Sequence, residues 1–343
     1  MKSTFSVLLL LFMLGTNAQE FKTPVDYLDY IGNESDIISR TTWKYTLAVA
    51  HSKSARKIDN TRKALVKSIQ NAKKKIGGLK DGYKGDVEYR DQMLAYLTIS
   101  ENQINEEYDK IIDMQEVAEQ SYDYMEAYIL ARDLVNEKIN AEVDKLNANQ
   151  KLFANKYGIQ IGENKTELAK KMKISNEVFG NQTDLYLIFF KVNITDYNLM
   201  QAAEKKDLNA IQQNANALQQ FADEGLEKLK TFQAYKNDPL LINATKKALE
   251  FYKKEAVELS PKIIAFMMLN EKMEDSNITM NNKNAKDRTK EEFDAFNKLV
   301  TEVNKEVGNY NKLNAKFNAE KMTAVNNWNM ASENFVSKHV PKD

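Results

Sequence analysis

Apolar residues recur along this chain at spacings of three and four, the period of an amphipathic helix, with polar residues between them. Thr23-Pro24 predicts a helix start, with a hydroxyl to cap and a proline at the first helical position. A short amphipathic turn through Val25, Leu28 and Ile31 should stop at Gly32. A first full helix is expected from Glu34 to about Lys53, on the stripe Ile37, Ile38, Thr41, Tyr45, Ala48 and Val49. A second, from about Lys57, carries Ile58, Leu65, Ile69, Ala72 and Ile76 and should end at Gly77-Gly78. A third begins at Asp86 as N-cap, with Met93, Leu97, Ile104, Tyr108 and Ile111 facing inward. From Asp86 to Tyr157 there is neither Gly nor Pro. A single helix of that length would span about 105 Å at 1.5 Å per residue, so a turn is expected near Glu116 to Ser121. A fourth helix then runs through Tyr124, Tyr128, Leu134, Ile139, Val143 and Leu146.

The second half has the same texture. Gly158, Gly162 and Gly180 bracket a linker, with a short helix over Thr166 to Phe179. The dense run Leu185-Tyr186-Leu187-Ile188-Phe189-Phe190 fits a strand or a buried helix equally by periodicity alone. Leu208 to Phe232 reads as a helix, with Gly225 inside it. Asn237-Asp238-Pro239 opens another, and Pro261, which cannot donate to the turn before it, predicts a bend near Val257. Asn277 to Arg288 reads as a loop. From Phe293 to Phe335 a heptad stripe runs through Phe296, Val300, Val303, Val307, Tyr310, Asn314, Phe317, Lys321, Ala324, Trp328 and Ala331. Asn314 and Lys321 interrupt it, a pattern that either sets register or marks a wetter bundle end, and the wetter end is the expectation. Asn297, Asn304, Asn311 and Asn318 repeat along one flank, where they could bond to a neighbouring helix or recur by chance in a chain so rich in Asn.

Two stretches line up without gaps when one is slid 152 positions along the other. Eight pairs are identical: Tyr83/Tyr235, Lys84/Lys236, Asp86/Asp238, Leu97/Leu249, Glu106/Glu258, Lys110/Lys262, Ile111/Ile263 and Ile112/Ile264. Chance at ordinary composition gives roughly two, so the match points to an internal duplication. It also places the Leu185–Phe190 run on the first helix of the other copy, which favours a helix. The expected fold is all-α: two tandem antiparallel helical bundles of about four helices each. Residues 1–18 form a signal peptide, 19–157 the first bundle, 158–182 a linker with a short helix, and 183–343 the second bundle.

Composition narrows the function. Eleven Gly and four Pro in 343 residues leave long unpunctuated stretches, which favours helices over a turn-rich β fold. Lys+Arg and Asp+Glu balance at 49 each, so no global field draws the chain to nucleic acid or anionic lipid. The basic runs Lys73-Lys74-Lys75 and Lys170-Lys171-Met172-Lys173 could contact an acidic partner, but read first as solvated helix faces or ends. Lys2, the apolar run Val7 to Leu14, and Thr16-Asn17-Ala18 form a secretory leader cut after Ala18, leaving Gln19 first. The apolar run is too short to span a membrane comfortably, and no transmembrane helix is expected after cleavage. The chain has no Cys, which excludes disulfides, thiolate metal sites, Cys nucleophiles and a lipoprotein anchor. An exported chain of this size without Cys, rich in Asn and Lys, reads as bacterial.

No catalytic, metal or cofactor residues are expected. His51 and His339 stand in neither a His-Glu-x-x-His nor a Glu-x-x-His arrangement. Glu101, Glu106, Glu107, Asp109, Asp113 and Glu116 fall at exposed-face spacings, unlike a paired-carboxylate cleft. No Gly-rich phosphate loop, nucleophile elbow or Ser-x-x-Lys motif is present. Tyr27, Tyr30, Tyr122, Tyr124, Tyr128, Tyr186 and Tyr197 suit an interface if surface-clustered, and core packing at helical spacing.

The opening of the mature chain, Phe21-Lys22-Thr23-Pro24-Val25-Asp26-Tyr27-Leu28-Asp29-Tyr30-Ile31, resembles an uncharacterised family of exported bacterial all-helical surface proteins. That resemblance implies a leader, a helical body and no assigned chemistry. The layout is also similar to imelysin-like periplasmic proteins, but their Gly-x-His-x-x-Glu motif is absent at both His51 and His339. The expectation is an exported non-enzymatic protein of the bacterial envelope or surface, with a protein partner in the envelope. The alternative is a periplasmic small-ligand or metal binding module held between the two bundles.

Overall fold

Thr23 and Asp26 open the first helix by capping each other. The Asp26 amide donates to Thr23 Oγ1 at 3.1 Å, and the Thr23 amide donates to Asp26 Oδ2 at 2.9 Å. This is a reciprocal cap of the capping-box kind. In the computed structural model residues 21–52, 54–118, 122–162 and 166–342 are described, and the expected leader at 1–18 lies outside them. Among the described residues every regular element is helical, so the fold is all-α. The helices are α1 (Pro24–His51), α2 (Ala55–Gly77), α3 (Glu88–Ala118), α4 (Tyr122–Lys156), α5 (Glu167–Glu204), α6 (Leu208–Thr231), α7 (Leu240–Lys254), α8 (Ser260–Asn282) and α9 (Lys290–His339).

Three expected boundaries are corrected, each for the same reason. Gly32 does not stop α1, because Tyr27, Ile31, Glu34 and Ile38 are buried in unbroken helical phase on both sides of it. Gly180 does not separate two helices; Thr166 caps a single α5 that includes the Leu185–Phe190 run. The loop expected from Asn277 begins only after Asn282, with Met280 buried as an anchor. A glycine inside a helix costs about 1 kcal/mol against alanine, less than the burial of one large apolar side chain. The expected turn near Glu116 to Ser121 falls partly on residues 119–121, outside the described residues; 116–118 are helical.

Pro261 disturbs its helix where expected. Between α7 and α8 the backbone opens into a single π turn over Glu255–Leu259, and the Ser260 amide donates to the Glu255 carbonyl. Proline has no N–H for the Val257 carbonyl, and its ring crowds that carbonyl in an α-helix; widening the turn by one residue relieves both.

The chain divides into two compact units. One takes the chain through Tyr45, Arg56–Tyr108 and Asp133–Asn164; the other takes Thr46–Ala55, Asp109–Arg132 and Lys165–Asp343. The first has a core of Tyr27, Ile31, Ile38, Leu65, Ile69, Ala72, Ile76, Tyr83, Tyr89, Met93, Leu97 and Phe153. The basic run on α2 ties this unit together: Lys73 reaches Glu101 at 2.8 Å and Lys75 reaches Glu34 at 2.6 Å. In the second unit α5 packs on α6, α6 on α7, α7 on α9, and α9 back on α5. Its centre holds Trp328, stacked on Phe189 at 4.3 Å with its Nε1 donating to Thr245 Oγ1 at 2.9 Å. Gly225 lies where α6 comes closest to its neighbours; a Cβ there would meet Leu249 at 2.9 Å and Ile188 at 3.1 Å.

The two Tyr-Lys-x-Asp segments form the same local structure, one in each unit. Lys84 and Gly85 have φ of 52° and 88°, and Lys236 and Asn237 have 48° and 60°, so both tight turns are left-handed at both central residues. Each lysine ammonium lies 5.4 Å from the ring of the preceding tyrosine. Asp86 Oδ1 accepts the Glu88 amide and Asp238 Oδ1 the Leu240 amide, so each aspartate stands just ahead of its helix. Each also takes a lysine from the end of another helix: Lys156 to Asp86 at 2.8 Å, Lys338 to Asp238 at 2.7 Å. Phe153 and Tyr157 pack on Tyr83 as Phe335 and His339 pack on Tyr235, with ring centroids 5.0–6.1 Å apart.

Candidate functional site

Among the described residues of the second unit, one stretch of exposed and half-buried apolar surface follows α8 and the first half of α9. Thr289 and Glu292 form a full capping box that fixes where α9 starts, and Lys283 pairs with Glu292 across the connection. These contacts hold the carboxyl of Glu292 below its ordinary value, through the Lys283 hydrogen bond first and the Thr289 amide second. Past Ile263 on α8 and ahead of Phe317 on α9, Met280 and Leu299 alone are buried. The remaining inward stripe of α9, from Phe296 to Asn314, is half-buried, and Phe293 stands 48% exposed at its start.

The two helices are locked by Phe266 stacked on Tyr310 at 4.4 Å with rings 7° from parallel. Burial of that pair pushes the Tyr310 hydroxyl above its ordinary pKa. Along the pair run two grooves. The larger, about 740 Å³, has Ala265, Phe266, Leu269, Tyr310 and Leu313 as its floor and Lys262, Lys312, Lys316, Glu302 and Glu306 around it. The smaller, about 440 Å³, continues toward the connection past Met280, Phe296 and Leu299. Met268, 56% exposed, and Ile278 stand beside them on α8. An apolar floor with a rim of both charges is the anatomy of a protein-docking surface.

Lys321 corrects the expectation of a wetter bundle end. Its ammonium lies 2.8 Å from Asp196 Oδ1, in a well-aligned hydrogen bond, and 3.0 Å from Glu255 Oε1, in a charge contact outside hydrogen-bond alignment. The Lys321 side chain is 18% exposed, Asp196 7% and Glu255 0%. Burial, and then the charge of Asp196, push the Glu255 carboxyl up to about 8. Beside the trio, burial raises the Tyr252 hydroxyl as it donates to Asn193 at 2.7 Å. None of the three charged groups lines the grooves of α8 and α9. The trio is an internal lock among α5, the π turn and α9, of the kind that fixes register. Sequence reasoning missed it because Lys321 shows as a break in a stripe, while its partners lie on other helices.

The other candidate residues separate. His339 is a structural ligand of Asp238, at 2.8 Å. His51 lines a cavity of about 650 Å³ with Phe179, Gln182, Ser332 and Glu333, yet neither ring nitrogen has a hydrogen-bond partner among the described residues. Ser332 instead accepts from Gln182 at 3.1 Å. Glu101 accepts from Lys73 and Gln70; the side chains of Glu106, Glu107, Asp109, Asp113 and Glu116 lie outside the described residues. So do those of Tyr122, Tyr124 and Tyr128. Tyr27 is core, Tyr30 and Tyr186 pack against cores, and Tyr197 is exposed. The row Asn297, Asn304, Asn311 and Asn318 faces outward, as a chance recurrence in an Asn-rich chain would, and Asn314 is half-buried. Among the described residues no group of three or more His, Asp or Glu side chains is placed to hold a metal ion. No helix among them is long and apolar enough to cross a membrane.

Compared with known proteins, the chain matches no family model, no curated protein and no solved structure.

Proposed function

We propose that this is an exported, non-enzymatic protein of the bacterial envelope or surface, and that it works by docking an amphipathic protein helix along α8 and α9. The observation that carries this reading is the pair of grooves with an apolar floor and a charged rim, flanked by exposed Met268 and Ile278. Two helices in contact bury one side each, so their outer seam stays available to a third. The leader supports export, and the recurring Tyr-Lys-x-Asp turn supports a chain built from two copies of one helical unit.

The test is a photo-crosslinking amino acid placed at Leu269 in the producing bacterium, with fractionation of the cells. A discrete protein adduct in the envelope or external fraction is expected from position 269 and not from Glu227, an exposed site on α6. Equal labelling at both positions, or an unlabelled chain retained in the cytoplasm, would overturn the proposal.

A further inference from the structure

The rim charges of the larger groove are arranged symmetrically along α9. Asn309 lines the groove at its middle. Three residues before it stands Glu306, and three after it Lys312; seven before it stands Glu302, and seven after it Lys316. All five line the same groove, so they share a helix face, as offsets of three and seven require. Lys262 of α8 joins the lysine end. Within that groove one end is therefore basic, the other acidic, and the centre is a neutral amide.

A face with that pattern is complementary to itself turned end for end. We propose that the docked helix is α9 of a second copy of this chain, antiparallel, with a two-fold axis passing beside Asn309. The inference rests on the docking reading above and names its partner. In that arrangement Lys312 of each copy meets Glu306 of the other, and Lys316 meets Glu302. The two Asn309 amides meet at the axis; each donates one hydrogen to its own Glu306 at 3.0 Å and keeps a second hydrogen and its oxygen for the other. Any parallel pairing in register would set lysines on lysines and glutamates on glutamates, which electrostatics disfavours. Leu269 and Leu313 bring apolar surface to the contact, with Met268 exposed alongside on α8. Two helical hairpins joined this way make a four-helix bundle, and the contact is isologous, so it closes at two copies.

The chain has no cysteine, so a single introduced one reports cleanly. Asn309→Cys should oxidise to a covalent dimer, because the two positions meet at the axis. Asn318→Cys should not, since antiparallel copies would hold those positions about 27 Å apart at 1.5 Å per residue. Sedimentation equilibrium of the full chain should show a monomer–dimer equilibrium. Lys312→Glu with Lys316→Glu should weaken it at least about tenfold, as should Glu302→Lys with Glu306→Lys. An equimolar mixture of these two charge-reversed chains should pair with each other at near wild-type strength, which also shows that both are folded.

A wild-type chain that stays monomeric up to roughly 0.1 mM would overturn the second-copy proposal, as would a dimer indifferent to both reversals or equal crosslinking at 309 and 318. If such a monomer still gives an adduct to a different protein from Leu269 in cells, the docking reading survives and self-pairing alone is lost. If it gives none, both fall.

Discussion

Replacing Lys321 by methionine keeps the length and apolar stem of the side chain but removes its ammonium. The two carboxylates it served, 2.8 and 3.0 Å away, stay buried in the second unit with no other cation within ion-pairing distance among the described residues. Removing one partner from a buried charged group costs about 3–5 kcal/mol, because the remaining charge is left without compensation. For a unit of this size that corresponds to a fall in Tm of roughly 10 °C, readable by circular dichroism. The pH dependence has a definite sign. The folded Glu255 carboxyl titrates at about 8 against an ordinary 4.5, so between those values the folded chain holds a proton that the unfolded chain releases. Stability therefore falls as pH rises through that window. Without Lys321 the Glu255 carboxyl loses the charge that favours its ionisation, so the deficit of Lys321→Met should grow as pH rises from 5 to 8. Glu255→Gln should flatten the wild-type slope between pH 5 and 8, and adding it to Lys321→Met should recover more than half of the loss. A Lys321→Met chain as stable as wild type at pH 8 would refute the assignment of a buried charge lock.

Three further outcomes are expected. Burial opposes ionisation of Asp238, but Lys338, the Leu240 amide and His339 outweigh it and hold the carboxyl down to about 2 against an ordinary 3.8. The stabilisation, about 2 kcal/mol, is present above pH 4 and lost as pH falls toward 2, so acid titration of Asp238→Asn should lack that step. Gly225→Ala should destabilise by about 1–2 kcal/mol in urea melts, since its Cβ would press on Leu249 and Ile188. Gly180→Ala, in open space within α5, should instead stabilise by about 0.5–1 kcal/mol.

The spacing of apolar residues, joined by the internal match for the Leu185–Phe190 run, determined that the described elements are helical and where most of them begin, because helical period and capping are local properties. Thr23, Asp86 and Pro261 act within one turn of themselves, and Pro261 produced its π turn within the predicted segment. Only tertiary structure decided whether a helix would pass through Gly32 or Gly180, since the small cost of a glycine is set against burial supplied by distant residues. It also decided the role of Lys321. As a polar break in a stripe it is ambiguous in one dimension; opposite Asp196, 125 positions away, it is a buried ion pair. The symmetric charges around Asn309 lie between these cases. Their spacing is written in the sequence, but it gained meaning once Phe266 and Tyr310 locked α8 to α9 and left that face of α9 lining a groove.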